Sequence, residues 1–152
     1  MISLKNTLKA ITSKFSVLNT LLNDVPHYTL LWTNPNPTSE FSAQTISLDL
    51  SKYDAIKIDY NAYGIKSEET YVGKSCRLSS VSPGGSSYYI TARYRDCKVM
   101  TDGIKFDDGY TSYAVATPDT NNANCIPYKI YGIKFGGGYS LLRLLFAKGV
   151  FA

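Results

Sequence analysis

Two hydrophobic rhythms divide the chain. In the first, apolar residues recur in alternating steps of four and three, at Leu4, Leu8, Ile11, Phe15, Leu18 and Leu22. Those steps put all six on one seam of an α-helix, because a heptad spacing keeps a narrow stripe facing one direction. Leu8, Phe15 and Leu22 take the a positions of such a seam, and Leu4, Ile11, Leu18 and Val25 the d positions. Lys5, Asn6, Lys9, Ser13, Lys14 and Asn19 form a polar outer face. Asn23, Asp24, Val25 and Pro26 end the helix, since proline disfavours helical geometry in the residue before it. Two arrangements use such a stripe: a helix laid on its own domain, or a short homo-oligomeric coiled coil. The strict four–three rhythm favours the coiled coil, and Phe15 with Leu21 beside it broadens the strip toward three helices rather than two. Roughly three heptads are marginal alone, so the domain that follows must share in association.

From Tyr28 onward the rhythm changes to period two with turn punctuation. Residues 28–33 read as a strand closed by Asn34, Pro35, Asn36 and Pro37. In 44–50, Ile46, Leu48 and Leu50 alternate with Thr45, Ser47 and Asp49; in 55–60, Ile56, Ile58 and Tyr60 alternate with Lys57 and Asp59. Both read as strands with one dry and one wet face. Further strands are expected at 70–78 and 88–95, around a Gly/Ser loop at 82–87. Residues 98–101 and 104–106 flank Asp102-Gly103, a two-residue hairpin signal. Asp107, Asp108 and Gly109 turn the chain into 110–116, a polar Asn-rich loop covers 118–124, and 126–134 closes the series. Many short strands with no helix between them predict a mainly β fold, an antiparallel β-sandwich of jelly-roll type, with the N-terminal α-helix forming a short trimeric coiled coil. The expected organisation is an oligomerisation or docking helix (1–25), a β-sandwich head (26–135) and a Gly-linked apolar tail (136–152). Gly136, Gly137 and Gly138 make the joint of that tail, and Leu141, Leu142, Leu144, Leu145 and Phe146 make an apolar terminus that should dock on another subunit or on the helix.

Composition narrows the function classes. Of 152 residues, 44% are hydrophobic and 18% charged, which fits a folded chain rather than a disordered one. A net charge of +4 without a dense Lys/Arg block argues against nucleic acid. No apolar run is long enough for membrane insertion, and Lys5, Lys9 and Lys14 interrupt any secretory h-region. Cys76, Cys97 and Cys125 are odd in number and form no CxxC pair, so three buried thiols in a reducing cytosol are expected.

The chemistry of an enzyme is hard to assemble. His27 is the one histidine, and it stands beside Pro26 where helix gives way to strand, a poor place for a base. Gly73-Lys74-Ser75 resembles the end of a phosphate-binding loop, but Glu68 stands where the first glycine belongs, so a β-turn is the better reading. Asp107 and Asp108 lack the alternating ligands of a calcium hand. No metal, cofactor or catalytic residue is therefore expected. The positive signal is tyrosine, 13 against 6 phenylalanines, grouped with polar loops: Tyr88 and Tyr89, Tyr110 and Tyr113 with Asp108, and Asn121 with Asn122. Aromatic faces with amide and carboxylate edges suit sugars, which have an apolar face and a ring of hydroxyls. The competing use of these tyrosines is as half-buried strand residues.

Four phrases carry a family resemblance: 28–37 (YTLLWTNPNP), 41–50 (FSAQTISLDL), 53–56 (YDAI) and 125–134 (CIPYKIYGIK). They resemble C-terminal head segments of tailed-phage fibre and minor structural proteins, over roughly 28–134. The resemblance implies a homotrimeric virion appendage, often receptor-binding, without a cofactor, made in the bacterial host cytoplasm and partnered by other virion proteins. It brings no residue-level binding site, and the apolar tail lies outside it. Three functions follow as expectations: a fibre or tail-tip head that binds a host-surface glycan, a structural component such as a capsid decoration or head fibre, and, least supported, a glycan-degrading enzyme, which would need two facing carboxylates.

Overall fold

The N-terminal helix, α1, spans Leu4–Asn23 in the computed structural model, which describes residues 3–23, 25–83, 90–113 and 117–136. The Ser3 carbonyl starts it, accepting from the Asn6 and Thr7 amides at 2.9 and 3.1 Å. Thr12 fits the helix by turning its hydroxyl back to the Leu8 carbonyl at 3.0 Å, which satisfies a polar group that would otherwise compete with the backbone.

Residues 28–133 form a separate compact unit. Its strands are β1 (His27–Thr33), β2 (Gln44–Ser47), β3 (Ala55–Asn61), β4 (Ile65–Tyr71), β5 (Ser75–Pro83), β6 (Ile90–Met100), β7 (Gly103–Tyr113), β8 (Asp119–Thr120) and β9 (Ile126–Lys134). Two antiparallel sheets result, one ordered β1-β9-β3-β4 and the other β2-β7-β6-β5 with β8 added on β7. The mainly β expectation and its antiparallel pairing are met. The chain changes sheet between β1 and β2, β2 and β3, β4 and β5, and β8 and β9, while β3-β4 and β5-β6-β7 stay side by side. One hydrophobic cluster draws on both sheets: Ile56, Ile58, Tyr60, Ile126 and Ile130 from the first, Leu78, Cys97, Val99, Ile104 and Phe106 from the second. The alternation read at 55–60 is the one that fills this core.

Several boundaries differ from the sequence expectation, each for a local reason. The strand expected at 70–78 is broken at Gly73, whose φ of 86° turns the chain out of one sheet and into the other. Strand β4 precedes that turn unpredicted, because it lies on a sheet edge and its Lys66, Ser67, Glu68 and Glu69 offer no apolar alternation. The described parts of the expected pieces 88–95 and 98–101, residues 90–95 and 98–100, belong to one continuous strand, β6. Likewise 104–106 and the described part of 110–116, residues 110–113, are joined through Asp107, Asp108 and Gly109, a β-bulge rather than a turn. Arg95 faces Gly109 and Cys97 faces Phe106, so β7 carries one residue more than β6 across that step. The hairpin itself closes Met100 onto Gly103, which leaves Thr101 and Asp102 as its loop, one position earlier than read. Gly103 lets β2 approach closely: a Cβ there would collide with the Ile46 carbonyl oxygen.

Candidate functional site

The helix seam is laid bare. Leu4, Leu8, Ile11 and Phe15 are 82, 63, 46 and 65% exposed, so apolar side chains at four seam positions face solvent in the single chain. The side chains of Leu18 and Leu22 lie outside the described residues, as do Tyr88, Tyr89 and the apolar tail from 137 on.

Of the residues singled out for sugar binding, Asp108, Asn121 and Asn122 are brought into one neighbourhood around Gly109, but much of their hydrogen-bonding capacity is spent within the fold. The Asp108 carboxylate accepts from the Ala43 amide at 2.9 Å. That bond and the Asn122 side chain hold its pKa below the ordinary carboxylate value. The Asn122 side-chain oxygen accepts from the Gly109 amide at 2.9 Å, and its backbone carbonyl accepts from the Phe41 amide at 3.0 Å. The Asn121 amide donates to the Gly109 carbonyl at 2.7 Å, and its side-chain oxygen receives the Ala123 amide at 3.1 Å. Asn121 nevertheless borders a polar hollow of about 330 Å³ together with Asn61, Tyr63 and Asn124.

What organises this loop is Arg95, which the sequence reading passed over. Its side chain is fully buried. The guanidinium lies 5.1 Å from the Phe41 ring centroid and donates only to backbone carbonyls: Nε to Cys125 at 3.2 Å, Nη1 to Asp107, and Nη2 to Asn122 and Asn124 at 3.3 and 3.2 Å. Burial pushes its pKa down from the usual guanidinium value, yet arginine keeps its charge in proteins, so the bonds are charge-assisted. A parity signal was present in the sequence: Arg95 shares its face with Cys97 and Val99, both core residues. Splitting β6 into two strands hid it.

The other face of the same sheet carries a row across three strands. Arg77 lies 4.3 Å above the Tyr94 ring, and Tyr94 stacks on Tyr110 with centroids 5.5 Å apart and planes 25° off parallel. Arg77 also grips Asp96 bidentately, Nε–Oδ1 2.7 Å and Nη2–Oδ2 2.8 Å, which raises the arginine's pKa. Beside the row a hollow of about 500 Å³ is lined by Arg77, Asp96, Lys98, Lys105 and Asp107 among others. Lys98 and Lys105 stand directly opposite each other in the β6–β7 register, an unfavourable like-charge pair. Tyr113, three residues from Tyr110 on an alternating strand, points to the opposite face, so the structure separates these two tyrosines. Among the described residues no cluster of His, Cys, Asp or Glu could hold a metal ion. No described helix is long and apolar enough to cross a membrane.

Comparison with protein families, curated proteins and solved structures gives no match to this chain.

Proposed function

We propose that this chain is a non-catalytic virion component of a tailed phage, a trimer joined through α1, with a head that binds a host-surface glycan. The observation that carries the oligomer is the exposed seam: Leu4, Leu8, Ile11 and Phe15 at heptad spacing, apolar and wet in the single chain. Three copies of α1 wound as a coiled coil would bury those residues on one another. On this reading the two sheets face each other as a sandwich of jelly-roll type, which the core cluster shared between them supports. The glycan surface is the outer face of the β2-β7-β6-β5 sheet, where Tyr94 and Tyr110 adjoin Arg77, Asp96 and the lysine pair. Phenol edges and charged groups there offer both apolar contact and hydrogen bonds to hydroxyls.

A second reading has its own support. Asp108 and Asn122 are tied into the fold by backbone amides, as a structural capsid decoration or head fibre without a receptor would allow. Sedimentation of the purified chain and a glycan array with the wild type and Tyr94→Ala separate the two. A monomer at micromolar concentration would remove the coiled coil, and an array with no signal above background would leave the structural component as the function.

A further inference from the structure

We propose that Cys76 and Cys97 are a redox-closable pair, which a low-molecular-weight disulfide such as oxidised glutathione converts into a cross-strand disulfide within the folded head. Cys76 and Cys97 are directly opposite one another in the antiparallel β5–β6 register. Directly opposed residues have Cα atoms about 4.5–5.5 Å apart, inside the span a disulfide requires. Both side chains take the inward face, the one shared with Leu78 and Val99. Their sulfur atoms lie 2.9 Å apart as thiols, so closing to a bond length of about 2.05 Å asks for less than an ångström of movement.

The two sulfurs differ in a way that fixes the order of steps. Cys97 is buried, and its bond to Cys76 together with desolvation raises its pKa, which keeps it protonated. Cys76 is half-buried, so its sulfur is the one of the two that a small disulfide meets first. The Cys76 thiolate attacks one glutathione sulfur; the glutathione S–S bond breaks and one glutathione thiolate leaves, carrying that bond's electron pair. Cys97 then gives its proton to the departing thiolate and attacks the Cys76 sulfur, releasing the second glutathione. Two protein thiols are oxidised by two electrons, and one glutathione disulfide is reduced to two thiols. Cys125 takes no part: its thiol is turned to the Arg93 carbonyl at 3.6 Å.

The test uses the full chain, held with oxidised glutathione and then denatured under acid quench. Thiol titration should fall from three per chain to one, and the intact mass should drop by two hydrogens. A non-reducing peptide map should join the peptides of Cys76 and Cys97 within one chain, and the melting temperature should rise by several degrees. Cys125→Ser should behave as the wild type, and Cys76→Ser should keep both of its remaining thiols. Three titratable thiols after oxidation, a lasting glutathione adduct on Cys76, or chains cross-linked through Cys125 would each overturn the proposal. Because the wild-type measurements decide the matter, a Cys97 variant that fails to fold costs nothing.

Discussion

Arg95 reaches across 29 residues to donate from Nη2 to the Asn124 carbonyl at 3.2 Å. That bond and its three companions substitute backbone dipoles for a counter-ion around a buried charge. Arg95→Ala leaves the carbonyls of Asp107, Asn122, Asn124 and Cys125 short of a donor and opens a void beneath Phe41. We expect a loss of about 3 kcal/mol or more, as for other buried polar networks that lose one member. Arg95→Lys should also destabilise, because an ammonium lacks the planar fork that serves carbonyls on several sides. Urea denaturation of both variants measures this.

Gly109 completes the same enclosure. A Cβ on it would collide with the Asn121 carbonyl and come within 2.9 Å of both the Asn124 carbonyl and Arg95 Nη2. Two of these neighbours are backbone atoms and cannot swing away. Gly109→Ala should therefore cost about 1–3 kcal/mol, the usual range for overpacking, and thermal melting would register it.

Acid should act through Asp108. Its folded-state pKa is depressed, so the stability it contributes is present above its unfolded value near pH 4 and is lost as the pH falls through the lower folded value. Asp108→Asn removes that dependence. The variant should be less stable than the wild type at neutral pH, and its melting temperature should fall less steeply below about pH 4. Equal slopes for the two proteins would contradict the assignment.

Burial works the other way on Cys125, pushing its thiol up to about 11. The folded protein should resist alkylation there at neutral pH while Cys76 reacts. As pH rises from about 9, the unfolded state gains a thiolate that the native state withholds, so stability should decline toward pH 11. Mass mapping of alkylated residues and alkaline melts test the two parts.

Ile11→Asp with Phe15→Asp places charges on two seam positions. If α1 forms the trimer, sedimentation should show the mass falling to that of one chain, while the far-ultraviolet β signal of the head remains. An unchanged sedimentation coefficient would show that association, if any, lies elsewhere.

The core was legible wherever burial alternated along a strand, as at Ile56, Ile58 and Tyr60. Edge position erased that signal in β4, whose Glu68 and Glu69 look like loop residues although they pair with Ile58 and Lys57. The bulge at Asp107–Asp108 looked like a turn because two acids and a glycine serve either purpose. Residues 121–124 of the Asn-rich stretch were legible as a loop, although the short strand β8 at Asp119–Thr120 was not foreseen within it, and composition could not tell that its carbonyls converge on a cation. Only tertiary structure places Arg95 beneath it. Tyr94 was missed for a related reason: of its outward companions, Asp96 falls between the two strands expected from sequence and Lys98 in the second of them.

The position of β9 has a consequence in time. This strand lies between β1 and β3, and the carbonyls that Arg95 needs come from residues 107–125. During synthesis the chain emerges N-terminus first, at about 5–20 residues per second. For some seconds β1 has no partner to join it to β3, and the Arg95 guanidinium has no carbonyls to receive it. The hairpins β3-β4 and β5-β6-β7 can pair as they emerge, but β1 waits without a neighbour until residues 126–134 arrive to close the sheet.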